Sequence, residues 1–227
     1  MGVITCIGGI DTDIGKTIAT GLMAKVLRQN GYSVITQKIV QTGCHGLSDD
    51  IKKHRELMGI GLQIEDIEEV TCSESFVKSC SPHLAAELEG KEVDRERITG
   101  NSRKLAACYD QVLLEGVGGL LVPLSRQVTF LDYVKQQNYP LILVSSSRLG
   151  SINHTLSALE ICANRGVAVK GIIYNCFEET DPEIVLDSKN VFQSGLEQYG
   201  YPGRVVSLYK TEKYLQEEKD FPCLLLF

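Results

Sequence analysis

The sequence predicts an α/β domain with a doubly wound, mostly parallel sheet and helices on both faces. Three observations lead there. Apolar runs of five or six residues alternate along the chain with longer amphipathic stretches, as β-α-β units require. The first apolar run, Val3 to Ile7, passes through glycines and small polar residues into a helical pattern opened by Lys16-Thr17. The clearest strand, residues 140–145, is almost wholly apolar, as expected of a strand covered on both faces.

Composition bounds the function. The 227 residues suffice for one domain over 1–227 with a large core, and 43% hydrophobic with 23% charged residues is ordinary for a globular protein. A formal net charge of −6 without any basic run argues against a nucleic-acid partner. No apolar run approaches a bilayer span, and the start lacks a basic region with a cleavage site, so no membrane association and a cytoplasmic location are expected. The eight cysteines (6, 44, 72, 80, 108, 162, 176 and 223) show no C-x-x-C spacing and read as reduced, mostly core residues. The four histidines, His45, His54, His83 and His154, do not pair at metal-ligand spacing.

Taken in order, Ile18, Leu22 and Val26 recur every four residues and predict a helix packed through that stripe and ending near Gly31. Residues 33–40 read as a strand with Lys38 near its end, broken by Thr42-Gly43. Gly46 to Asp50 leads into a helix through Met58, whereas 59–80 is weakly periodic and reads as loop with some short structure. Ser81-Pro82 predicts a helix start, with Ser as the cap and Pro at the first helical position, ending at Gly90. A further helix covers 94–108, weakened in its middle by Gly100-Asn101. Residues 111–115 form an apolar strand ending in Glu115 and followed by Gly116-Val-Gly-Gly119. A helix over 130–137, the strand at 140–145, a helix opened by Arg148-Leu-Gly-Ser-Ile-Asn153 with Leu156 and Leu159 on one face, and a strand over 169–176 continue the alternation. Asp181-Pro182 starts a last helix to about Tyr199, and 205–208 is an edge strand.

The stretch Cys6 to Thr17, C-I-G-G-I-D-T-D-I-G-K-T, has the strand–glycine loop–helix context of a phosphate-binding loop, with five residues instead of four between Gly9 and Gly15. Glycines let backbone N–H groups turn towards a polyphosphate, and the following helix presents the positive end of its dipole. Lys16 can reach terminal phosphates and the Thr17 hydroxyl suits Mg²⁺, so the fold is of the P-loop NTPase type and binds a nucleotide triphosphate.

Ligands of such sheets bind beyond the carboxyl ends of the strands, where Lys38, Glu115, Ser145 to Ser147 and Asn175 all fall. Glu115 can support a nucleotide-bound Mg²⁺ there. For the pair Asp49-Asp50, just ahead of a helix, capping and metal binding are both open readings. Lys38 can hold phosphate or steady a carbamate or carboxylate, with a solvated lysine as the plain alternative. Gly150-Ser-Ile-Asn153, where a strand passes into a helix, offers a second anion site.

The motifs G-I-D-T-D-I-G-K-T, Q-K-I-V-Q-T-G, S-P-H, E-G-V-G-G-L-L-V-P-L and L-G-S-I-N-H-T, spread in this order over about residues 9–175, resemble those of dethiobiotin synthetase. That resemblance implies a homodimeric, ATP- and Mg²⁺-dependent cyclo-ligase. Its substrates would be 7,8-diaminononanoate and CO₂ or bicarbonate, joined through a carbamate and a carbamic–phosphoric anhydride. It further implies Lys16 and Lys38 as catalytic residues, and Thr17, Asp50 and Glu115 as holders of Mg²⁺. The nucleotide would lie against Asp13, Ile14, Gly15, Lys16, Thr17, Ile18, Asp50, Glu115, Gly116, Val117, Gly118, Asn175 and Cys176, with Asn175 at the base. The substrate would meet Thr12, Thr42, Pro82 and Gly118, and its carboxylate Gly150, Ser151 and Asn153 of the partner subunit, in a shared active site.

Two departures stand out. The family commonly has Asn-Asp where this chain has Asn175-Cys176, and an Ile-Pro segment is not recognisable around Ser207 to Lys210, so weak base discrimination is expected. A partitioning-type ATPase switch is the alternative function, but its signature early lysine is absent from Gly9-Ile10-Asp11. A cobyrinate-type amidotransferase would need a glutaminase domain for which 227 residues leave no room.

Overall fold

The chain starts in the middle of its own sheet. In the computed structural model, which describes residues 1–177, 181–215 and 221–222, strand β1 (Val3–Gly9) is flanked on both sides by later strands. Helix α1 (Lys16–Gln29) follows, then β2 (Val34–Lys38), the two-residue β3 (Gln41–Thr42), α2 (Asp49–Met58), α3 (Ile64–Ile67) and β4 (Ser75–Phe76). Next come α4 (Pro82–Leu88), α5 (Arg95–Cys108), β5 (Gln111–Glu115), β6 (Pro123–Ser125), β7 (Val128–Thr129) and α6 (Phe130–Gln137). The alternation closes with β8 (Leu141–Ser146), α7 (Ser151–Arg165), β9 (Val169–Asn175), α8 (Pro182–Gln198), β10 (Arg204–Leu208) and α9 (Glu212–Leu215).

Six strands form the main sheet in the order β10-β9-β8-β1-β5-β2, and every pairing is parallel. The α/β, doubly wound reading therefore holds. From β1 the chain moves out to β2, returns through β5 and then builds the other half. The loop after β1 consequently lies at the switch in strand order, where a crevice opens.

Both faces of the sheet are covered, because successive strand residues point to opposite sides. Ile4, Cys6, Val112, Leu114, Leu141 and Leu143 pack into one core with residues of α5, α6, α7 and α8. Ile7, Leu113, Ile142, Val144 and Val206 pack into another with α1 and the end of α2. Five of the seven described cysteines are buried, Cys80 is half-buried and Cys108 is exposed, while Cys223 lies outside the described residues.

The expected stripe on α1 is off by a step. Leu22 is buried, but Ile18 and Val26 are only half-covered, and Ala19, Thr20, Met23, Ala24 and Leu27 carry the packing instead. The cause is that α2 lies on α1, so α1 is sandwiched between the sheet and a second helix. Gly21 makes that contact possible. A Cβ there would stand 2.6 Å from the Leu57 side chain and 3.3 Å from the His54 backbone.

Caps also differ from expectation. The Ser81 side chain makes no capping hydrogen bond, although Pro82 does occupy the first turn of α4. Helix α2 is capped by Ser48, which accepts from the Ile51 N–H at 3.2 Å, so neither Asp49 nor Asp50 is the cap. Helix α7 starts at Ser151 rather than Arg148, with Gly150 in the left-handed region at φ +92. Gly100-Asn101 does not interrupt α5: nothing lies within 4 Å of a Cβ at Gly100, so that half-covered glycine costs the helix only its propensity, ~1 kcal/mol.

Candidate active site

Three elements deliver the phosphate loop's surroundings to the carboxyl end of the sheet. Gly15 turns the chain into α1 with φ +95, and a Cβ at that position would stand 2.5 Å from the Asn175 Nδ2 atom. Asn175, at the end of β9, donates from Nδ2 to the Ile14 carbonyl at 3.0 Å and accepts from the Phe177 N–H at 3.1 Å. Its side chain thus braces the loop. Arg148 adds a bond of 3.1 Å to the Asp13 carbonyl.

Lys16 is buried and folds back so that its Nζ donates to the Asp11 carbonyl at 2.5 Å. Burial, with the Lys38 ammonium nearby, pulls the Lys16 pKa down to about 8, and the carboxylates of Glu115, Asp50 and Asp11 oppose the shift. Thr12 and Asp13 at the loop tip are exposed, Ile14 is buried and Ile18 is half-covered.

Beside the loop stands a compact charged cluster. The Thr17 hydroxyl lies 3.0 Å from Asp50 Oδ1 and 3.0 Å from Glu115 Oε1. Lys38 Nζ lies 2.6 Å from Asp50 Oδ2 and 2.8 Å from Glu115 Oε1, and donates to the Gly116 carbonyl at 2.9 Å. Burial by itself would lower the Lys38 pKa, but the Glu115 and Asp50 carboxylates outweigh it and raise the value above that of an ordinary lysine. Burial would raise the Glu115 pKa, but the Lys38 ammonium and a hydrogen bond from His54 hold it well below the carboxylate range. Both groups are therefore charged at neutral pH. Asp49, by contrast, is exposed and pairs with Lys52 at 2.8 Å. Of the adjacent aspartates, Asp50 is the one that faces the loop.

The remaining expected residues spread outwards from this cluster. Gly116 and Val117 continue from β5, and a Cβ at Gly118 would lie 3.5 Å from Thr12 Oγ1, so those two residues adjoin. Thr42 is half-buried in β3, whose neighbour Gln41 accepts from Ser48 Oγ at 2.6 Å and from the Asp50 N–H at 3.4 Å. Pro82 is buried at the start of α4, which packs on β3. At the start of α7, Asn153 is exposed, and Ser151 Oγ is 2.8 Å from Ser146 Oγ. Between the loop and α7 runs a largely apolar groove of about 470 Å³, lined by Ile10, Leu121, Val122, Ala158 and Ile161 among others. Cys176, expected among the nucleotide-lining residues, is packed into the core at the end of β9, and its N–H donates to the Leu208 carbonyl.

Sequence reasoning missed His54, Arg55, Asp66 and Thr36. His54 Nε2 is 2.7 Å from Glu115 Oε2, and the other three stand behind it. One signal was present. Asp50 and His54 are four apart on one helix and so share a face.

A hydroxyl and two carboxylates, all oxygen donors next to a phosphate loop, are the set a hard divalent cation such as Mg²⁺ takes together with nucleotide phosphates. The residues present fit that ion.

The AAA domain family model matches residues 5–219. The ATP-dependent dethiobiotin synthetase BioD of Chlorobaculum tepidum is 52% identical over 224 residues, which is 99% of this chain and 94% of that protein. The chain belongs to the ATP-dependent dethiobiotin synthetase family. A second member, BioD 2 of Haemophilus influenzae, is 52% identical over 181 residues, covering 80% of this chain and 95% of its own. Solved structures agree in fold alone. A ParA family ATPase from Chlorobium tepidum superposes with a TM-score of 0.55 at 13% identity, covering 99% of this chain and 96% of that one. The septum site-determining protein MinD from Pyrococcus horikoshii gives 0.57 at 16% identity, covering 100% and 94%. Both share the architecture at low sequence identity.

Proposed function

We propose that this chain closes the ureido ring of dethiobiotin from 7,8-diaminononanoate, CO₂ and ATP, acting as a single-domain cyclo-ligase in the cytoplasm and as a homodimer with a shared active site. The observation that carries this reading is the cluster of Lys38, Asp50, Glu115 and Thr17 against the phosphate loop, in a chain of this family. ATP lies with its phosphates in the loop, and Lys16 leaves the Asp11 carbonyl to neutralise the terminal phosphates. Thr17, Asp50 and Glu115 would hold Mg²⁺, which would supply charge neutralisation at the phosphates. One amine of the substrate takes up CO₂ and loses a proton to give a carbamate, which Lys38 steadies. The carbamate oxygen attacks the γ-phosphorus and ADP leaves. The second amine then attacks the carbonyl carbon, the ring closes and phosphate departs. Lys16 and Lys38 are placed to follow the negative charge as it shifts, which is where electrostatic catalysis acts.

The apolar groove lined by Gly119 and Val122 suits the hydrocarbon chain of the substrate, and the start of α7 in a partner subunit suits its carboxylate. Among the described residues no helix is long and apolar enough to cross a membrane. The test is phosphate release by purified protein given Mg-ATP, bicarbonate and the diamine, omitting each in turn. Release should require all of them. Turnover without the diamine would reassign the chain to a switch ATPase.

A further inference from the structure

Behind the cluster runs a buried chain of polar side chains that the reaction does not itself use. His54 and Asp66 are completely buried, and Arg55 is nearly so. Buried polar groups are costly unless each finds a partner. Here each does. Asp66 takes Arg55 in a two-point contact, Nε to Oδ2 at 2.8 Å and Nη2 to Oδ1 at 2.7 Å, and is itself held by the Thr71 hydroxyl at 2.7 Å and the Gln63 N–H at 2.8 Å. Arg55 Nη1 donates to Thr36 Oγ1 at 2.8 Å. His54 Nδ1 lies 3.0 Å from the same hydroxyl, and His54 Nε2 lies 2.7 Å from Glu115 Oε2.

The direction of these bonds follows from what each group can do. A guanidinium only donates, so Thr36 Oγ1 accepts from Arg55 and has its own proton left to give. The acceptor in reach is His54 Nδ1, which assigns the ring proton to Nε2, facing Glu115. The two oxygens of Glu115 are thereby separated in role: Oε2 belongs to His54, and Oε1 faces Thr17 and Lys38.

We propose that His54 is a positioning residue that holds Glu115 by its second oxygen, anchored through Thr36 and Arg55 to Asp66, and so keeps the first oxygen aimed at the metal-nucleotide. The inference rests on the reading of Glu115 as a Mg²⁺-linked acid. Lys38 also contacts Oε1, but a lysine with phosphates and a carbamate to serve cannot be the fixed support of that carboxylate. His54 can, because the close α1–α2 approach at Gly21 leaves its backbone little room to shift.

The experiment compares His54→Leu, His54→Gln and Glu115→Gln by calorimetric titration of ADP with Mg²⁺ and with chelator, alongside the Mg²⁺ dependence of turnover. Supporting groups of this kind are worth roughly 10–100-fold in metal affinity. His54→Leu should weaken Mg-ADP binding by about that factor and raise the Mg²⁺ needed for half-maximal turnover, with metal-free ADP affinity unchanged. His54→Gln, whose amide can still donate to Oε2, should recover most of the loss. A folded His54→Leu with wild-type Mg²⁺ dependence, while Glu115→Gln shows a raised requirement, would overturn the inference. If Glu115→Gln also keeps the wild-type requirement, the underlying reading of Glu115 falls and the inference with it. Should His54→Leu fail to fold, Thr36→Val removes only the hydroxyl that sets the ring. It must shift the Mg²⁺ dependence in the same direction, and an unchanged dependence there overturns the inference equally.

Discussion

Lys38 and Glu115 are register partners on the adjacent parallel strands β2 and β5, and their side chains meet at 2.8 Å on the ligand side of the sheet. Backbone pairing alone puts the cation beside the acid. Helices α1 and α2 then add Thr17 and Asp50, so the cluster is set by the most rigid parts of the fold.

Lys38→Gln should lower kcat by about 10²–10³-fold, the typical cost of removing a group that stabilises charge in a transition state. Nucleotide affinity should change little, because Lys38 contacts the acids and not the loop. Steady-state kinetics with a parallel binding titration measures both. Lost ATP binding with full turnover at saturation would make Lys38 a nucleotide anchor only.

The adjacent aspartates should separate cleanly. Asp50→Ala removes a carboxylate lying 3.0 Å from Thr17 and 2.6 Å from Lys38, so the Mg²⁺ requirement should rise. Asp49→Ala removes an exposed, solvent-screened pair with Lys52 and should behave as wild type. Mg²⁺ titration of turnover in the two variants decides it, and the reverse order would refute the geometry.

Asp66 should make stability depend on acid pH. Burial would raise its pKa, but Arg55, the Gln63 N–H and Thr71 outweigh that and hold it below the ordinary carboxylate value. The folded state therefore binds this proton less readily than the unfolded chain. The contribution is full above the unfolded pKa of about 3.9 and is lost as pH falls through the lower folded value. Asp66→Asn should cost about 3–5 kcal/mol at pH 7, since it leaves the buried Arg55 without its counter-charge. Urea denaturation at several pH values should show that gap narrowing below about pH 4. A gap that does not change down to pH 3 would contradict the assignment.

Asn175 braces the loop through Ile14, so Asn175→Ala should weaken ATP and GTP in the same proportion, by roughly 5-fold for one lost hydrogen bond. Competition titrations with both nucleotides measure it. A loss confined to ATP would restore the base-reading role expected from the sequence.

A shared site has its own signature. Lys16→Ala and Asn153→Ala should each be nearly inactive, yet mixing them with subunit exchange should restore activity, because one site of the heterodimer then carries neither change. No recovery despite demonstrated exchange would place Asn153 in the same subunit's site.

The sequence by itself determined the alternation of strands and helices, the phosphate loop between them and the residues at the strand ends. Such features are local. Apolar runs, glycine breaks and the Gly15-Lys16-Thr17 turn act over a few neighbours and can be read from them. Only the tertiary structure decided which acids stand beside Thr17, since Asp50 meets it across 33 residues and Glu115 across 98. The choice between Asp49 and Asp50 depends on how α2 is rotated against α1, and Gly21, not any local pattern, allows that approach. The same packing brought His54 to Glu115, while on the other face of the sheet Cys176 joined the core. A buried polar network depends on every partner being in reach at once, which no single stretch of chain encodes.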